Sequence, residues 1–326
     1  MAPHSREPKA VSTADVVVLA GPTASGKSAL ALDLAERFGG VVVNADAMQV
    51  YREMSILTAR PDAAAEARAP HRLYGVLAAT DACSAGRWRG WAVEEIGAAH
   101  ASGKLPIVVG GTGLYLKALT EGLAPVPPVP AEIRDRVRAR LEAIGPAALH
   151  AELAQRDAVM GGRLRPSDSQ RLARATEVLE ATGRSLADWQ ADATAGERFR
   201  VLTLLLAPPR AVLHAVCDAR FRAMVASGAI EEAGAVRTLG LDPALPAARA
   251  LGLRELIRHL EGEISLAEAI RLAQAATRQY AKRQMTWFRN QLRDPVIFAE
   301  QYSERVRQKS FAKIEHWQLT GSAASD

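Results

Sequence analysis

The chain has 326 residues, of which 48% are hydrophobic and 24% are charged, as in an average soluble globular protein. This composition excludes an intrinsically disordered chain and a fibrous repeat, and the length predicts about two domains. The net charge is +5 and most basic residues are arginines, which favours a polyanionic partner. Two cysteines are too few for a disulfide framework or a four-cysteine zinc site.

The N-terminal segment contains no hydrophobic run of the length that a signal peptide or a membrane span requires. We therefore expect residues 1–14 to be a disordered lead-in, and the protein to be cytoplasmic with no membrane partner. No large apolar surface patch is recognisable in the sequence, so a monomer is the default expectation.

Strands and helices alternate in the first part of the chain. Apolar, β-branched runs predict buried strands at residues 16–20, 41–46 and 106–110. Helical spacing of apolar residues predicts helices at residues 27–38, 84–103 and 114–119. This alternation is typical of an α/β fold with a parallel sheet and helices on both faces.

A proline-rich segment at residues 124–130 ends this part, and residues 131–198 have helical patterns throughout. An apolar run at residues 201–207 then predicts another strand. We interpret residues 124–199 as an all-helical insertion domain in an α/β core of residues 15–123 and 200–310. The remaining helices are predicted at residues 212–227, 230–239, 248–260 and 265–290. Residues 311–326 are expected to be a loose tail.

The segment from Gly21 to Ser28 satisfies the pattern G-x-x-x-x-G-K-[ST] between a predicted strand and a predicted helix. In this context backbone amides curl around a phosphate group, Lys27 reaches its outer oxygens and Ser28 can hold Mg²⁺. We call residues 21–28 the phosphate loop and expect them to bind a phosphoanhydride. Its members are Gly21, Pro22, Thr23, Ala24, Ser25, Gly26, Lys27 and Ser28.

Asp46 is the acidic residue at a strand end nearest to the phosphate loop. A P-loop ATPase needs an acid that holds the metal, yet the strand at 106–110 leads into Gly111 and Thr112 without a carboxylate. In small-molecule P-loop kinases an acid in the position of Asp46 can hold the acceptor or act as its base. The alternative is an aspartate that only caps a turn.

Five basic residues recur at intervals of seven and four along the long C-terminal helix. On a helix this spacing makes one stripe, and no acid interrupts the sequence from Arg271 to Arg293. Like charges on one face favour a polyanion partner; the alternative is pairing with acids elsewhere, such as Glu231, Glu232 or Glu255. This basic stripe consists of Arg271, Arg278, Lys282, Arg289 and Arg293.

Several segments together resemble the tRNA dimethylallyltransferases, also called tRNA isopentenyltransferases. They are the phosphate loop, Asn44-Ala-Asp-Ala-Met-Gln-Val-Tyr51, Val109-Gly-Gly-Thr-Gly-Leu-Tyr115, Pro166-Ser-Asp-Ser-Gln-Arg171 and residues 277–289. The resemblance implies a P-loop kinase-like fold. It also implies transfer of the prenyl group of dimethylallyl diphosphate to N6 of the adenosine just 3′ of the anticodon, in tRNAs that read codons starting with U.

The resemblance assigns roles to individual residues. It implies that Asp46 is the general base and that the hydroxyl of Thr23 orients the reacting groups. It also implies that Lys27 and Arg220 bind the diphosphate and that Mg²⁺ is the cofactor. Ala47 stands where the family often has serine. The tRNA contacts that it implies, together with those of the basic stripe, are Asp46, Ala47, Met48, Gln49, Thr112, Arg134, Gln170, Arg171, Leu172, Ala173, Arg174, Arg278, Lys282 and Arg289.

Three other functions remain open from the sequence. The phosphate loop and Asp46 alone fit a small-molecule P-loop kinase, which leaves the basic stripe and the helical insertion without a role. A prenyltransferase acting on free adenylate would share the donor but has little use for the insertion. A non-enzymatic RNA-binding module would leave the phosphate loop unused.

Overall fold

A computed structural model of the chain describes residues 15–192 and 199–322. Within these ranges six strands form one sheet in the order β3-β2-β4-β1-β5-β6, and every neighbouring pair is parallel. The strands are β1 (Asp15–Ala20), β2 (Gly40–Asn44), β3 (His71–Arg72), β4 (Leu105–Gly110), β5 (Arg200–Leu206) and β6 (Val296–Phe298). The predicted parallel α/β sheet is confirmed.

The helices predicted for the α/β core are present, with two more at Ala63–Arg68 and Glu304–Ser322 that were not predicted. Before the insertion they are α1 (Lys27–Phe38), α2 (Ala63–Arg68), α3 (Ala85–Ala101) and α4 (Gly113–Glu121). The insertion contains α5 (Ala131–Arg156), α6 (Ala158–Arg163), α7 (Ser169–Thr182) and α8 (Leu186–Ala191). After it come α9 (Arg210–Ala226), α10 (Ala229–Thr238), a 3₁₀ turn (Ala247–Arg249), α11 (Leu253–Leu260), α12 (Leu266–Gln291) and α13 (Glu304–Ser322).

Residues 311–322 are not the loose tail that the sequence predicted, because they belong to α13. This helix packs on α1, where the rings of Phe38 and Phe311 meet edge to face with centroids 5.7 Å apart. Val306 and Ile314 are fully buried against the sheet. The polar composition of the segment hides this narrow apolar face. Residues 1–14, predicted to be a disordered lead-in, lie outside the described residues.

The helix predicted at residues 248–260 is in fact two pieces. The 3₁₀ turn ends at Arg249, and Gly252, with a left-handed φ of +85°, caps the start of α11. A side chain there would also collide with the ring of Phe221, 2.4 Å from the position of a Cβ. The glycine is therefore required by both backbone geometry and packing.

The described chain divides into two compact units. The first contains residues 15–120 and 199–322, and the second contains residues 121–192. In the first unit β1 is buried on both faces, because helices cover the sheet from either side. No helix in the described ranges is long and apolar enough to cross a lipid bilayer.

The second unit has a small core of its own. Leu149 and Leu153 of α5 pack there with Met160, Leu172 and Ala175. Leu172 is fully buried in this core, so its side chain cannot contact tRNA as the sequence analysis expected. Helix α5 is interrupted by a glycine with non-helical dihedral angles, which precedes a proline.

Candidate active site

Three loops meet at the carboxyl edge of the sheet. The phosphate loop follows β1, Asp46 follows β2, and Thr112 follows β4. Because β2, β4 and β1 are adjacent and parallel, the loops that leave them lie side by side. The sheet order therefore brings together residues that are up to 91 positions apart in the sequence.

The phosphate loop has the geometry of an anion cradle. Gly26 caps α1 with a φ of +88°, and the helix begins without a side-chain cap, so its first amides face the cradle. Gly21 has no room for a side chain, because a Cβ would lie 2.7 Å from Oγ of Ser25. Ala24 has a φ of +66°, a conformation that costs free energy for a residue with a side chain.

Thr23 is fixed from two sides. Arg220 on α9 donates a hydrogen bond to its hydroxyl oxygen. Its own amide donates to Oε1 of Gln284 on α12 at 2.9 Å, and Nε2 of Gln284 donates to the carbonyl of Gly111 at 2.8 Å. The predicted orienting hydroxyl is therefore held by an arginine that itself belongs to the predicted diphosphate site.

Lys27 is half-buried in this cradle, and its ammonium group lies 3.4 Å from the carbonyl oxygen of Pro22. Burial lowers the pKa of Lys27 to about 8; the negative charge of Asp46 partly offsets this shift, and Arg220 adds to it. A cation that has lost much of its hydration is strongly stabilised by a nearby phosphate oxygen. Burial also lowers the pKa of Arg220.

Asp46 lies in a loop held by Asn44. The amide of Asp46 donates to Oδ1 of Asn44 at 2.8 Å, and the side chain of Asn44 donates to the carbonyls of Asp46 and Leu73. One carboxylate oxygen of Asp46 accepts from the amide of Met48 at 2.9 Å, which is the turn-capping contact of the alternative interpretation. The other oxygen accepts no hydrogen bond among the described residues, so it is available to a proton donor.

Thr112 and Gln49 shape the same loop. The hydroxyl of Thr112 accepts from the amide of Ala47 at 2.9 Å. The side-chain amide of Gln49 donates to the carbonyls of Thr58 and Ala59 at 2.9 and 3.0 Å. Gln49 therefore has only its side-chain oxygen left for the tRNA contact that the resemblance implies, and that contact stays a prediction.

Glu232 on α10 supports the segment that holds Gln49. Its carboxylate accepts hydrogen bonds from the backbone amides of Ser55, Ile56 and Leu57 at 2.9, 2.7 and 3.0 Å. A carboxylate with several amide donors is a strong anchor. Glu232 thus has a structural partner and does not pair with the basic stripe.

Sequence reasoning missed Gln284 and Tyr280 as residues of this site. The hydroxyl of Tyr280 interacts with Thr112 and Gln284, and burial, followed by the charge of Asp46, raises the pKa of Tyr280. Tyr280, Gln284 and Trp287 share one helix face at spacings of four and three, beside the basic stripe. This mixed polar and aromatic face is the signal that could have identified them.

The donor set for magnesium is small. Ser28 is exposed in the first turn of α1, and no cluster of three His, Cys, Asp or Glu side chains occurs in the described part of the chain. Mg²⁺ in phosphate sites is held mainly by substrate oxygens and water. One hydroxyl beside a phosphate cradle fits an ion of that kind.

The basic stripe is less uniform than the sequence indicated. Arg278 is partly buried and pairs with Asp218 of α9 at 2.5 Å, and Arg271 pairs with Glu268 at 2.6 Å. Neither uses an acid that the sequence analysis considered. Lys282 is exposed and has no ion pair among the described residues, and the same is true of Arg289.

This difference gives a prediction for the two exposed residues of the stripe. If Lys282 and Arg289 contact tRNA phosphates, each alanine substitution should reduce the slope of log K against log salt by about 0.7–0.9. The melting temperature should stay unchanged, whereas Arg278→Ala should lower it, because Asp218 would lose its partner in a partly buried place. Lys313→Ala on α13 is the matched control for loss of one exposed charge. An unchanged salt slope for Lys282→Ala and Arg289→Ala would remove both residues from the interface.

In the second unit the residues implied to bind tRNA divide by exposure. Arg134, Gln170, Arg171 and Arg174 are exposed, whereas Leu172 and Ala173 are buried. Arg171 and Arg174 each have an acidic neighbour on the same helix, at 3.4 and 3.8 Å. The pair of Arg171 is exposed and therefore weak, so this guanidinium group can exchange its carboxylate for a phosphate. Glu177, the partner of Arg174, is buried.

Comparisons with known proteins agree on one family. Residues 49–291 match the model of the IPP transferase family. The chain is 55% identical to a tRNA dimethylallyltransferase of Rhodospirillum rubrum over 94% of each protein. It is 57% identical to that of Nitrobacter hamburgensis over 86% of this chain and 89% of the relative.

Solved structures extend the similarity to the fold. A tRNA isopentenylpyrophosphate transferase of Bacillus halodurans is 29% identical, with a TM-score of 0.69 over 95% of this chain and 100% of that protein. A eukaryotic dimethylallyltransferase acting on tRNA is 27% identical, with a TM-score of 0.74 over 85% of this chain and 70% of the other. On the sequence match and the shared fold, this chain belongs to the IPP transferase family.

Proposed function

We propose that the protein transfers the dimethylallyl group of dimethylallyl diphosphate to N6 of the adenosine just 3′ of the anticodon, in tRNAs that read codons starting with U. The observation that supports this proposal is that the loop of Asp46 and the phosphate loop leave the same edge of the sheet, where the charge of Asp46 raises the pKa of Lys27. A carboxylate next to a phosphate cradle serves a reaction in which one group takes a proton and another stabilises a leaving anion.

The phosphate loop, Lys27 and Arg220 bind the diphosphate in this mechanism. As the allylic C–O bond breaks, the electron pair stays on the leaving diphosphate, and the two cations stabilise the growing charge. Arg220 also donates a hydrogen bond to the Thr23 hydroxyl, which links this cation to the phosphate loop. Mg²⁺, with Ser28 as its protein ligand, would add positive charge at the same oxygens.

Asp46 accepts the proton of the acceptor. The nitrogen N6 forms its bond to the allylic carbon and must lose one proton, which goes to the carboxylate oxygen that has no hydrogen bond. To reach this place the adenine must leave its stack in the anticodon loop. Thr112 keeps the loop of Asp46 in place through the amide of Ala47.

The rest of the proposal concerns the surroundings of the reaction. The exposed arginines of residues 121–192 are proposed to bind the anticodon stem-loop, which is the role given to the helical insertion. A tRNA substrate is the reason to expect the enzyme in the cytoplasm. We take the active species to be a monomer, which light scattering of the purified protein with and without tRNA checks.

The acceptor distinguishes the proposed function from its alternatives. Labelled dimethylallyl diphosphate is offered with tRNA or with AMP, and labelled ATP is offered with a set of metabolites. We expect label only in tRNA, on one adenosine after nuclease digestion. Label on AMP would show a free-adenylate prenyltransferase, and phosphate transfer from ATP would show a kinase.

The pKa of Lys27 predicts how donor binding depends on pH. Diphosphate favours the protonated ammonium group, so binding should raise the pKa of Lys27 above its value of about 8 in the free enzyme. Affinity for dimethylallyl diphosphate is therefore full below pH 8 and falls as pH rises through it.

Calorimetry at about pH 8.5 in two buffers of different ionisation enthalpy measures the proton uptake that this linkage requires. We expect uptake of most of one proton by the wild-type enzyme. Lys27→Arg keeps the charge but does not titrate in this range, so it should lose the uptake. Equal uptake by both proteins would mean that another group titrates.

A further inference from the structure

The segment between β6 and α13 runs against the phosphate loop. Strand β6 lies at the sheet edge, and the carbonyl of its last residue, Phe298, accepts from the amide of Ala207 at 2.8 Å. Residues 299–303 then cross to the start of α13. This segment follows the residues matched by the family model, which end at 291.

Two donors of this segment bind carbonyl groups of the phosphate loop. Nε2 of Gln301 donates to the carbonyl of Ala24 at 2.9 Å, and the amide of Tyr302 donates to the carbonyl of Ser25 at 3.4 Å. In a planar trans peptide the C=O and the next N–H point in opposite directions. Turning the carbonyl of Ser25 outward therefore turns the amide of Gly26 into the cradle.

Ala24 needs such support because its φ of +66° is unfavourable for alanine. On one side it packs against Leu213, Cys217 and Ala281. On the other, Gln301 holds its carbonyl. The conformation of the loop is thus imposed by contacts from distant parts of the chain.

Tyr302 also fixes the loop relative to helix α1. A Cβ on Gly26 would lie only 2.4 Å from Cβ of Tyr302, so the two backbones are in close contact. The hydroxyl of Tyr302 donates to the carboxylate of Asp33, about two turns further along α1. The loop and the helix that follows it are therefore braced by one residue.

We propose that Gln301 and Tyr302 are positioning residues for the donor, because they hold the amides of the phosphate loop in the arrangement that binds diphosphate. This inference rests on the proposed function of the loop as the diphosphate site. Neither residue is assigned contact with the reacting atoms. Their effect should appear in donor binding and leave tRNA binding unchanged.

The test is Gln301→Leu, which removes the donor to Ala24 at similar volume. We expect the Kd for inorganic diphosphate and the KM for dimethylallyl diphosphate to rise about 5- to 50-fold, the scale for leaving one buried acceptor unpaired. The KM for tRNA should stay within about twofold of the wild-type value, because neither residue is assigned to tRNA binding. If Gln301→Leu does not fold, Gln301→Asn is used, since its shorter side chain cannot reach the carbonyl.

Glu315→Gln is the matched control. It removes the exposed ion pair between Arg37 and Glu315, at the other end of the contact between α13 and α1. We expect the Kd for inorganic diphosphate and the KM values for dimethylallyl diphosphate and tRNA to equal those of the wild type. An equal loss in the control, or parallel changes for donor and tRNA in Gln301→Leu, would show a general structural role and overturn the proposal.

The outcome for wild-type enzyme separates this inference from the proposed function. If wild type binds inorganic diphosphate and Lys27→Ala does not, the site stands, and an unchanged Kd for Gln301→Leu overturns only the positioning role. If wild type does not bind diphosphate, the proposed donor site and the positioning role both fall.

Discussion

Lys27→Ala should lower kcat/KM for prenyl transfer by about 10²–10³-fold or more, the scale for removing one group that stabilises developing charge. The ammonium group is half-buried in the cradle, and burial lowers its pKa to about 8. It is therefore poorly solvated, and a bound diphosphate stabilises its charge strongly. Steady-state kinetics with saturating tRNA measures the loss.

The same variant should bind tRNA nearly as tightly as wild type, because Lys27 faces the donor. Filter binding or fluorescence anisotropy with unmodified tRNA checks this. Lys104→Ala is the control, since Lys104 is exposed before β4, remote in sequence from the cradle. A tRNA affinity that falls as far as the activity would contradict the assignment of Lys27 to the diphosphate site.

Asp46→Asn should slow the chemical step by roughly 10²–10⁴-fold, the range for loss of a general base. The asparagine oxygen can still accept from the amide of Met48, so the turn should persist. Single-turnover rates with bound tRNA and saturating donor isolate the step. We expect the KM for each substrate to change much less than kcat.

The experiment needs a defined protonation state of Lys27. The charge of Asp46 helps to keep the pKa of Lys27 up, so its removal lowers that pKa further. Rates are therefore compared at about pH 6.5, well below the value of about 8, where Lys27 stays protonated in both proteins. Near wild-type single-turnover rates under these conditions would exclude Asp46 as the base.

Local sequence patterns were sufficient for most of the α/β core. The helix Lys27–Phe38 has the predicted bounds, and Ser84 caps α3 as predicted. Such features depend on residues close in sequence, namely apolar periodicity and capping side chains. Strands β3 and β6 were missed because two or three residues carry no periodic signal and pair only when a neighbouring strand is present.

The phosphate loop was recognisable for the same reason, since its chemistry lies in eight consecutive residues. Asp46 was identified from its position after a strand. The partners that hold these groups could not be found this way. Gln284 is 261 residues from Thr23, and Arg220 is 197 residues from it.

The basic stripe shows the limit of periodicity most clearly. Its spacing correctly places four of its five cations on α12, whereas Arg293 lies beyond the end of that helix. Spacing also says nothing about an acid on another helix. Asp218 reaches Arg278 only because α9 packs beside α12. An ion pair between helices depends on tertiary packing, which one-dimensional patterns do not contain.

The sequence by itself determined the parallel α/β class, the anion cradle and the acid beside it, because each is encoded by neighbouring residues. Only the tertiary structure decided which side chains hold that cradle in shape. Ala24 keeps its unfavourable φ, and the loop carbonyls keep their direction, through Gln301 and Tyr302. Those contacts form only when the end of the chain folds back against α1, since the loop's own residues do not favour this conformation.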